Sequence, residues 1–237
     1  MIDFHSHILP QIDDGSCSLE ESIEMLKREA EQGITHVVCT PHFYARYDRP
    51  LDFLARRDRA EELLREEMEK HRDLPQLVIG AEVRYFRGIS ESELVKQLTI
   101  REKSCIMIEM VPSPWQPHVY DELDQIRRKW GVTPVVAHVE RYISPWRDHG
   151  ISGRLQQLPV LVQANAEFFL EKRTRRMALR MLRDGYIHVL GSDCHNLTDR
   201  APEWTAALDI IREKLGEEAI AYVTENSQRA LRLEDGS

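Results

Sequence analysis

Apolar positions fall into short runs that alternate along the chain with longer stretches of helical spacing. A first apolar run ends in His5-Ser6-His7, and a polar turn carrying Asp13 and Asp14 follows. Ile23, Leu26 and Ala30 recur at helical spacing over residues 18–32, with Ser18 and Glu21 as a capping box and Gly33 as the stop. Residues 35–40 read as a buried strand that runs straight into Pro41-His42, and a charged helix over 51–71 follows. The alternation repeats: a strand over 77–83 carrying Glu82 and a helix near 90–98, then a strand over 104–110 carrying Glu109 and a helix over 118–130. A strand over 133–139 carries His138. Another over 160–165 precedes a basic helix near 170–184, and one over 188–194 leads to Asp193 and His195. Helices over 203–214 and 217–232 finish the pattern.

Strands separated by helices imply parallel pairing through right-handed crossovers. Seven such units fit a (β/α) barrel or an open doubly wound sheet. Six of the seven predicted strands end in His, Asp or Glu, all at the carboxyl end. An open sheet binds at one switch point, whereas a barrel gathers every carboxyl end around one mouth. Convergence favours the barrel. No Gly/Ser linker, repeat or low-complexity tract divides the chain, so residues 1–237 read as a single domain.

Composition narrows the function. At 237 residues and 42% hydrophobic content the chain can bury a sizeable core. A formal charge of −8 makes it a poor generic binder of nucleic acid. No apolar run is long enough to span a bilayer, and the N-terminus lacks the pattern of a secretory signal. Cys17, Cys39, Cys105 and Cys194 show no Cys-x-x-Cys spacing, which suits free thiols in a reducing cytoplasm.

The candidate chemistry is metal binding. In an extended segment His5 and His7 point the same way and can grip one ion, although a His-x-His pair alone is a weak signal. Five of the ten histidines (His5, His7, His42, His138, His195) fall at strand ends, with Glu82, Glu109, Asp193 and either Asp13 or Asp14. Such a gathering is costly to bury without cations. Nine ligands exceed the ~3 that a catalytic zinc takes from protein, so two or three ions are implied.

These motifs, with Gly-Ala-Glu82, Ile-Glu109, Ala-His138-Val-Glu-Arg141-Tyr and Ser-Asp193-Cys-His195-Asn, resemble the polymerase-and-histidinol-phosphatase (PHP) superfamily. More closely, the chain is similar to bacterial manganese-dependent protein-tyrosine phosphatases of capsule and exopolysaccharide clusters. The resemblance implies a distorted seven-stranded barrel with a metal centre at the carboxyl ends of the strands. It assigns His5, His7, Glu82 and Asp193 to one ion, and Glu82, Glu109 and His138 to a second. Asp14, His42 and His195 would hold the third, position in the motif favouring Asp14 over Asp13. Arg141 and Arg200 would clamp phosphate. The implied cofactor is Mn2+, with iron or zinc as alternatives. The implied partner is a bacterial tyrosine kinase with a phosphotyrosine-rich tail, the expected location of this chain is the cytoplasm, and a homo-oligomer stays open. Three divalent ions against four carboxylates leave about +2, which attracts a phosphate dianion.

Alternatives remain at this stage. Cys194-x5-Arg200 matches the spacing of thiolate phosphatases, but its five intervening residues lack glycine and Asp193 opposes a thiolate. A small-molecule phosphatase of histidinol-phosphatase type, a metal-dependent exonuclease and a metal-stabilised binding module also fit a metal site. Tyr44 and Trp115, on the loops after predicted strands two and four, are expected to line an aromatic rim that packs a substrate ring.

Overall fold

The computed structural model describes residues 1–100, 105–144 and 148–233. Its strands are β1 (Ile2–Ser6), β2 (His36–Cys39), β3 (His42–Phe43), β4 (Gln76–Ile79), β5 (Glu82–Arg84), β6 (Cys105–Glu109), β7 (Thr133–Val136), β8 (Leu161–Asn165) and β9 (Val189–Gly191). Every pair is parallel, in a three-stranded sheet ordered β1-β2-β4 and a six-stranded sheet ordered β3-β5-β6-β7-β8-β9. The sheet curls until its last strand returns to its first. A parallel bridge joins Ser6 to Cys194, and the His7 N–H donates to the Cys194 carbonyl at 2.9 Å.

Both faces of this sheet are covered, which is why its strands read as near-continuous apolar runs. Ile2, Phe4, Val38, Val78, Met107, Val135 and Val189 form one buried cluster, mostly of strand residues. Val37, Leu77, Ile106, Ile108, Val136 and Leu190 join the larger cluster with the helices. Those helices are α1 (Leu19–Glu31), α2 (Pro50–Met68), α3 (Leu94–Gln97), α4 (Pro117–Trp130), α5 (Ile151–Leu155), α6 (Glu167–Leu170), α7 (Arg175–Arg183), α8 (Thr205–Leu215) and α9 (Glu217–Leu231). Ser18 caps α1 as expected, its hydroxyl accepting from the Glu21 N–H at 3.2 Å. The helix expected near 90–98 shrinks to a 3-10 turn and the single α turn of α3. The start of the strand expected at 104 lies outside the described residues.

The strand predicted over 35–40 forms β2, and after Thr40-Pro41 the chain resumes as the short β3; the one predicted over 77–83 divides into β4 and β5 at Gly80-Ala81. Pro41 has no N–H for the ladder. Gly80 passes so close to Ile100 that a Cβ there would meet its Cγ1 at 2.7 Å. The breaks lie side by side, and the chain resumes beyond them with His42 opposite Glu82. Such bends re-aim side chains.

Two other strands stop short of their functional residues. β7 ends at Val136 and β9 at Gly191, while His138 and Asp193 follow with φ of +32° and +54°. Left-handed backbone is strained for residues with a Cβ, and here it turns both side chains toward the carboxyl-end mouth.

Candidate metal centre

Asp14, His42, Glu82, Glu109, Asp193 and His195 gather with His5 and His7 at the carboxyl ends of the strands. Three overlapping sets of metal-capable atoms result: His7, Asp14, His42 and His195; His5, His7 and Asp193; and His42, Glu82 and Glu109. His138 joins through Glu82, its Nε2 lying 2.7 Å from Glu82 Oε1. His42 also comes within reach of Glu82 and Glu109, so it lies between two of these sets.

Four of the five imidazoles are oriented alike, His42 being the exception. His7 Nδ1 lies 2.7 Å from Asp13 Oδ2, and His195 Nδ1 lies 2.9 Å from the Asp193 carbonyl. His5 Nδ1 lies 3.3 Å from Gln163 Oε1, and His138 Nδ1 lies 3.2 Å from the Tyr142 hydroxyl. With Nδ1 tied to a protein partner, each Nε2 is left for the centre, the arrangement that metal-binding histidines adopt. His5 Nε2 and His7 Nε2 lie 3.2 Å apart, and each is 3.4 Å from Glu82 Oε2. Asp13 and Asp14 thereby separate. Asp13 accepts from His7 and from the backbone N–H groups of Gly15 and His42, while Asp14 Oδ1 faces His42 Nε2 at 3.4 Å and His195 Nε2 at 3.6 Å.

Several of these buried atoms have no hydrogen-bond partner: His42 Nδ1, Glu82 Oε2, Glu109 Oε2 and His195 Nε2. His42 Nδ1 and Glu82 Oε2 approach to 2.9 Å, yet out of hydrogen-bond alignment. Lone pairs that converge without bonding one another are what ligands of a shared cation present. The mixed oxygen and imidazole donors suit divalent ions such as manganese, iron or zinc.

The electrostatics are strongly coupled. Burial opposes the charge on Glu82, but His5, His138 and His42 hold its carboxyl well below the usual range. Burial is likewise outweighed at Asp193, chiefly by His5 and His7. His5 and His7 are raised despite burial, by Glu82 and Asp193 and, for His7, by Asp13. Burial lowers His195 to about 4 and also lowers His138, so both imidazoles are neutral donors near pH 7.

Arginines border the centre. Arg141 Nη2 and Arg200 Nη2 meet on Asp193 Oδ2 at 2.7 Å and 3.1 Å. Arg84, which sequence reasoning did not single out, bonds Glu109 Oε1 at 2.7 Å. A cleft of about 780 Å³ opens beside Arg141, Asp193 and Arg200 and continues over Asn165, Ala166 and Leu170.

The aromatic rim is half corrected. Tyr44 stands near the centre, its ring 5.3 Å from that of His42. Trp115 is only 6% exposed, with its Nε1 bonded to the Val111 carbonyl and its ring packed on Tyr120 and Tyr142. A proline-flanked aromatic looks like a loop tip in sequence, but this one has a core to fill. Cys194 is buried as well, and its thiol is pushed well above the usual range by burial, Glu29 and Asp3, which removes the thiolate alternative.

The family described as capsular polysaccharide synthesis, CpsB/CapC, matches residues 1–232. The tyrosine-protein phosphatase CpsB of Streptococcus agalactiae serotype III (strain NEM316) is 29% identical, covering 98% of each chain. CpsB of Streptococcus pneumoniae, also a tyrosine-protein phosphatase, is 31% identical over 91% of each. A solved structure of YwqE from Bacillus subtilis and CpsB from S. pneumoniae, described as unique metal-dependent tyrosine phosphatases, superposes with a TM-score of 0.85. It is 26% identical and covers 98% of this chain and 94% of its own.

Proposed function

The chain belongs to the CpsB/CapC family of capsular polysaccharide synthesis, and from that premise we propose that it is a metal-dependent protein-tyrosine phosphatase. One observation supports this above the others: imidazole Nε2 atoms and unpartnered carboxylate oxygens converge directly beside two guanidinium groups. Cation ligands and anion clamps side by side suit a reaction at a phosphoryl group.

The proposed ligands are His5, His7, Glu82 and Asp193 for one ion, Glu82, Glu109 and His138 for a second, and Asp14, His42 and His195 for a third. Divalent ions held there, manganese in our reading, supply Lewis acidity at phosphorus and lower the pKa of water toward neutrality. The protein's own part is positional. Arg141 and Arg200 already converge on one carboxylate oxygen, so an incoming phosphate finds two forked donors aimed at a single point. They stabilise charge on the equatorial oxygens as the ester bond breaks. The leaving phenol, with a free pKa of about 10, departs without a strong general acid.

In this reading the two sheets are the staves of one distorted seven-stranded barrel, with the centre at its carboxyl mouth. The substrate is a phosphotyrosine segment of a bacterial tyrosine kinase that controls capsule or exopolysaccharide production, met in the cytoplasm. Among the described residues no helix is long and apolar enough to cross a membrane. Tyr44 flanks the phosphotyrosine ring. The test is a purified, metal-analysed sample assayed on phosphotyrosine peptide, phosphoserine peptide and histidinol phosphate. Manganese-dependent preference for the phosphotyrosine peptide is expected; a higher kcat/KM on histidinol phosphate overturns the reading.

A further inference from the structure

Of the sequence-predicted strands, the one over 160–165 brings no His, Asp or Glu to the mouth. We propose that β8 serves the centre differently: Gln163 and Asn165 form a buried relay of amides that orients ligands on β1, after β7 and after β9. This inference rests on the metal-centre reading given above.

Gln163 is fully buried. Its Oε1 accepts from the His138 backbone N–H at 2.6 Å and faces His5 Nδ1 at 3.3 Å. Its Nε2 donates to Asn165 Oδ1 at 2.9 Å, and Asn165 Nδ2 donates to Asp193 Oδ2 at 3.0 Å. The direction of this chain is dictated from its far end. A carboxylate only accepts, so Asn165 must turn its NH2 toward Asp193 and its oxygen toward Gln163. Gln163 must then present NH2 to Asn165 and oxygen to His5. Facing an acceptor, His5 keeps its proton on Nδ1, which leaves Nε2, 3.4 Å from Glu82 and 3.5 Å from Asp193, to share a cation with them. The same oxygen holds the backbone N–H of His138, whose φ of +32° needs an external restraint.

The fold reserves room for the relay. A Cβ at Gly191 would come within 2.5 Å of His5 Cβ and 2.9 Å of Gln163 Nε2. Buried amides are costly unless each polar atom is paired, and here the pairs run from one ligand to another rather than ending in the core. Gln163 and Asn165 are therefore positioning residues.

The test uses the full chain with Gln163→Met, Asn165→Leu and the double substitution. Mn(II) affinity is measured by competition with a chelator, thermal unfolding in the metal-free state, and kcat and KM on phenyl phosphate. Each single variant should lose about 10–100-fold in metal affinity. The double variant should lose little more, because either break interrupts the same relay. Metal-free unfolding temperatures should fall only modestly, by what one unpaired buried group costs. Additive losses, unchanged affinity, or a drop in metal-free stability with affinity intact would each overturn the relay. Because affinity is read without phosphotyrosine, a protein that binds manganese through the relay yet spares phosphotyrosine peptide fails the proposed function alone.

Discussion

Two buried clusters of acidic and metal-capable side chains draw on the same two segments, β1 and the Asp193-Cys194 pair, and they dispose of their charge in opposite ways. At the mouth, Glu82 and Asp193 stay ionised because imidazoles surround them, and their carboxyls lie well below the ordinary range despite burial. Behind it, Asp3, Glu29 and Cys194 also place metal-capable atoms within 4.8 Å of one another. There burial dominates: Glu29 is pushed well above its ordinary value by burial and then by Asp3, and Asp3 itself is raised by burial. The rear cluster keeps a proton, whereas the mouth calls for cations. Residue types alone do not separate the two. What separates them is the surroundings: imidazoles at the mouth, and behind it burial against Ser192, Trp204 and Cys194, with no imidazole side chain among the groups that act on Asp3 and Glu29.

The comparison breaks first at Glu82. Glu82→Ala should release more than one ion and cost about three orders of magnitude or more in kcat. Elemental analysis and circular dichroism check it: full metal occupancy would sink the bridging role, and a lost fold would mean Glu82 is structural. Arg141→Ala and Arg200→Ala come next. Each should lose about 10²–10³-fold in kcat/KM on both phosphotyrosine peptide and phenyl phosphate while metal content holds, since every substrate shares the phosphate. A loss confined to the peptide would move that arginine from the clamp to the rim.

The rear cluster should respond mildly. Cys194→Ser should keep most activity, whereas chelation should abolish it and Mn(II) restore it; a folded, metal-loaded but dead serine variant would revive the thiolate alternative. Glu29→Gln should leave metal content unchanged and alter only the pH dependence of stability. The folded pair retains a proton that Glu29 in the unfolded chain releases around 4.5. Wild-type stability therefore falls as pH rises above that value until the folded pair ionises too, and the glutamine variant lacks this slope. Melting curves across about pH 5 to 8 compare them. A parallel pH dependence in both proteins would refute the shared proton.

The parallel alternation was legible because buried strands and amphipathic helices leave different periodicities. His5, His42, Glu82 and Asp193 stood out because imidazoles and carboxylates at the ends of apolar runs are conspicuous. Gln163, Asn165 and Arg84 did not, and Tyr142 entered only as part of a motif, without a role. An amide, a phenol or an arginine acquires a role toward a metal only from what it faces, as Tyr142 does by meeting His138 Nδ1 at 3.2 Å. The break at Gly80 was also hidden, since it depends on the approach of Ile100 from elsewhere in the chain. Trp115 misled for the same reason, because its burial against Tyr142 is long-range information.

The breaks at Pro41 and Gly80 have a mechanical consequence. They divide the hydrogen-bonded wall, so that His5 and His7 ride on the three-stranded sheet while Glu82, Glu109 and the segments bearing His138 and Asp193 ride on the six-stranded one. Ions held by the proposed ligands would therefore be rivets across a seam in the wall as well as reagents. Stripping them should loosen the molecule locally, with amide exchange quickening around residues 39–42 and 79–82 before the rest of the sheet responds.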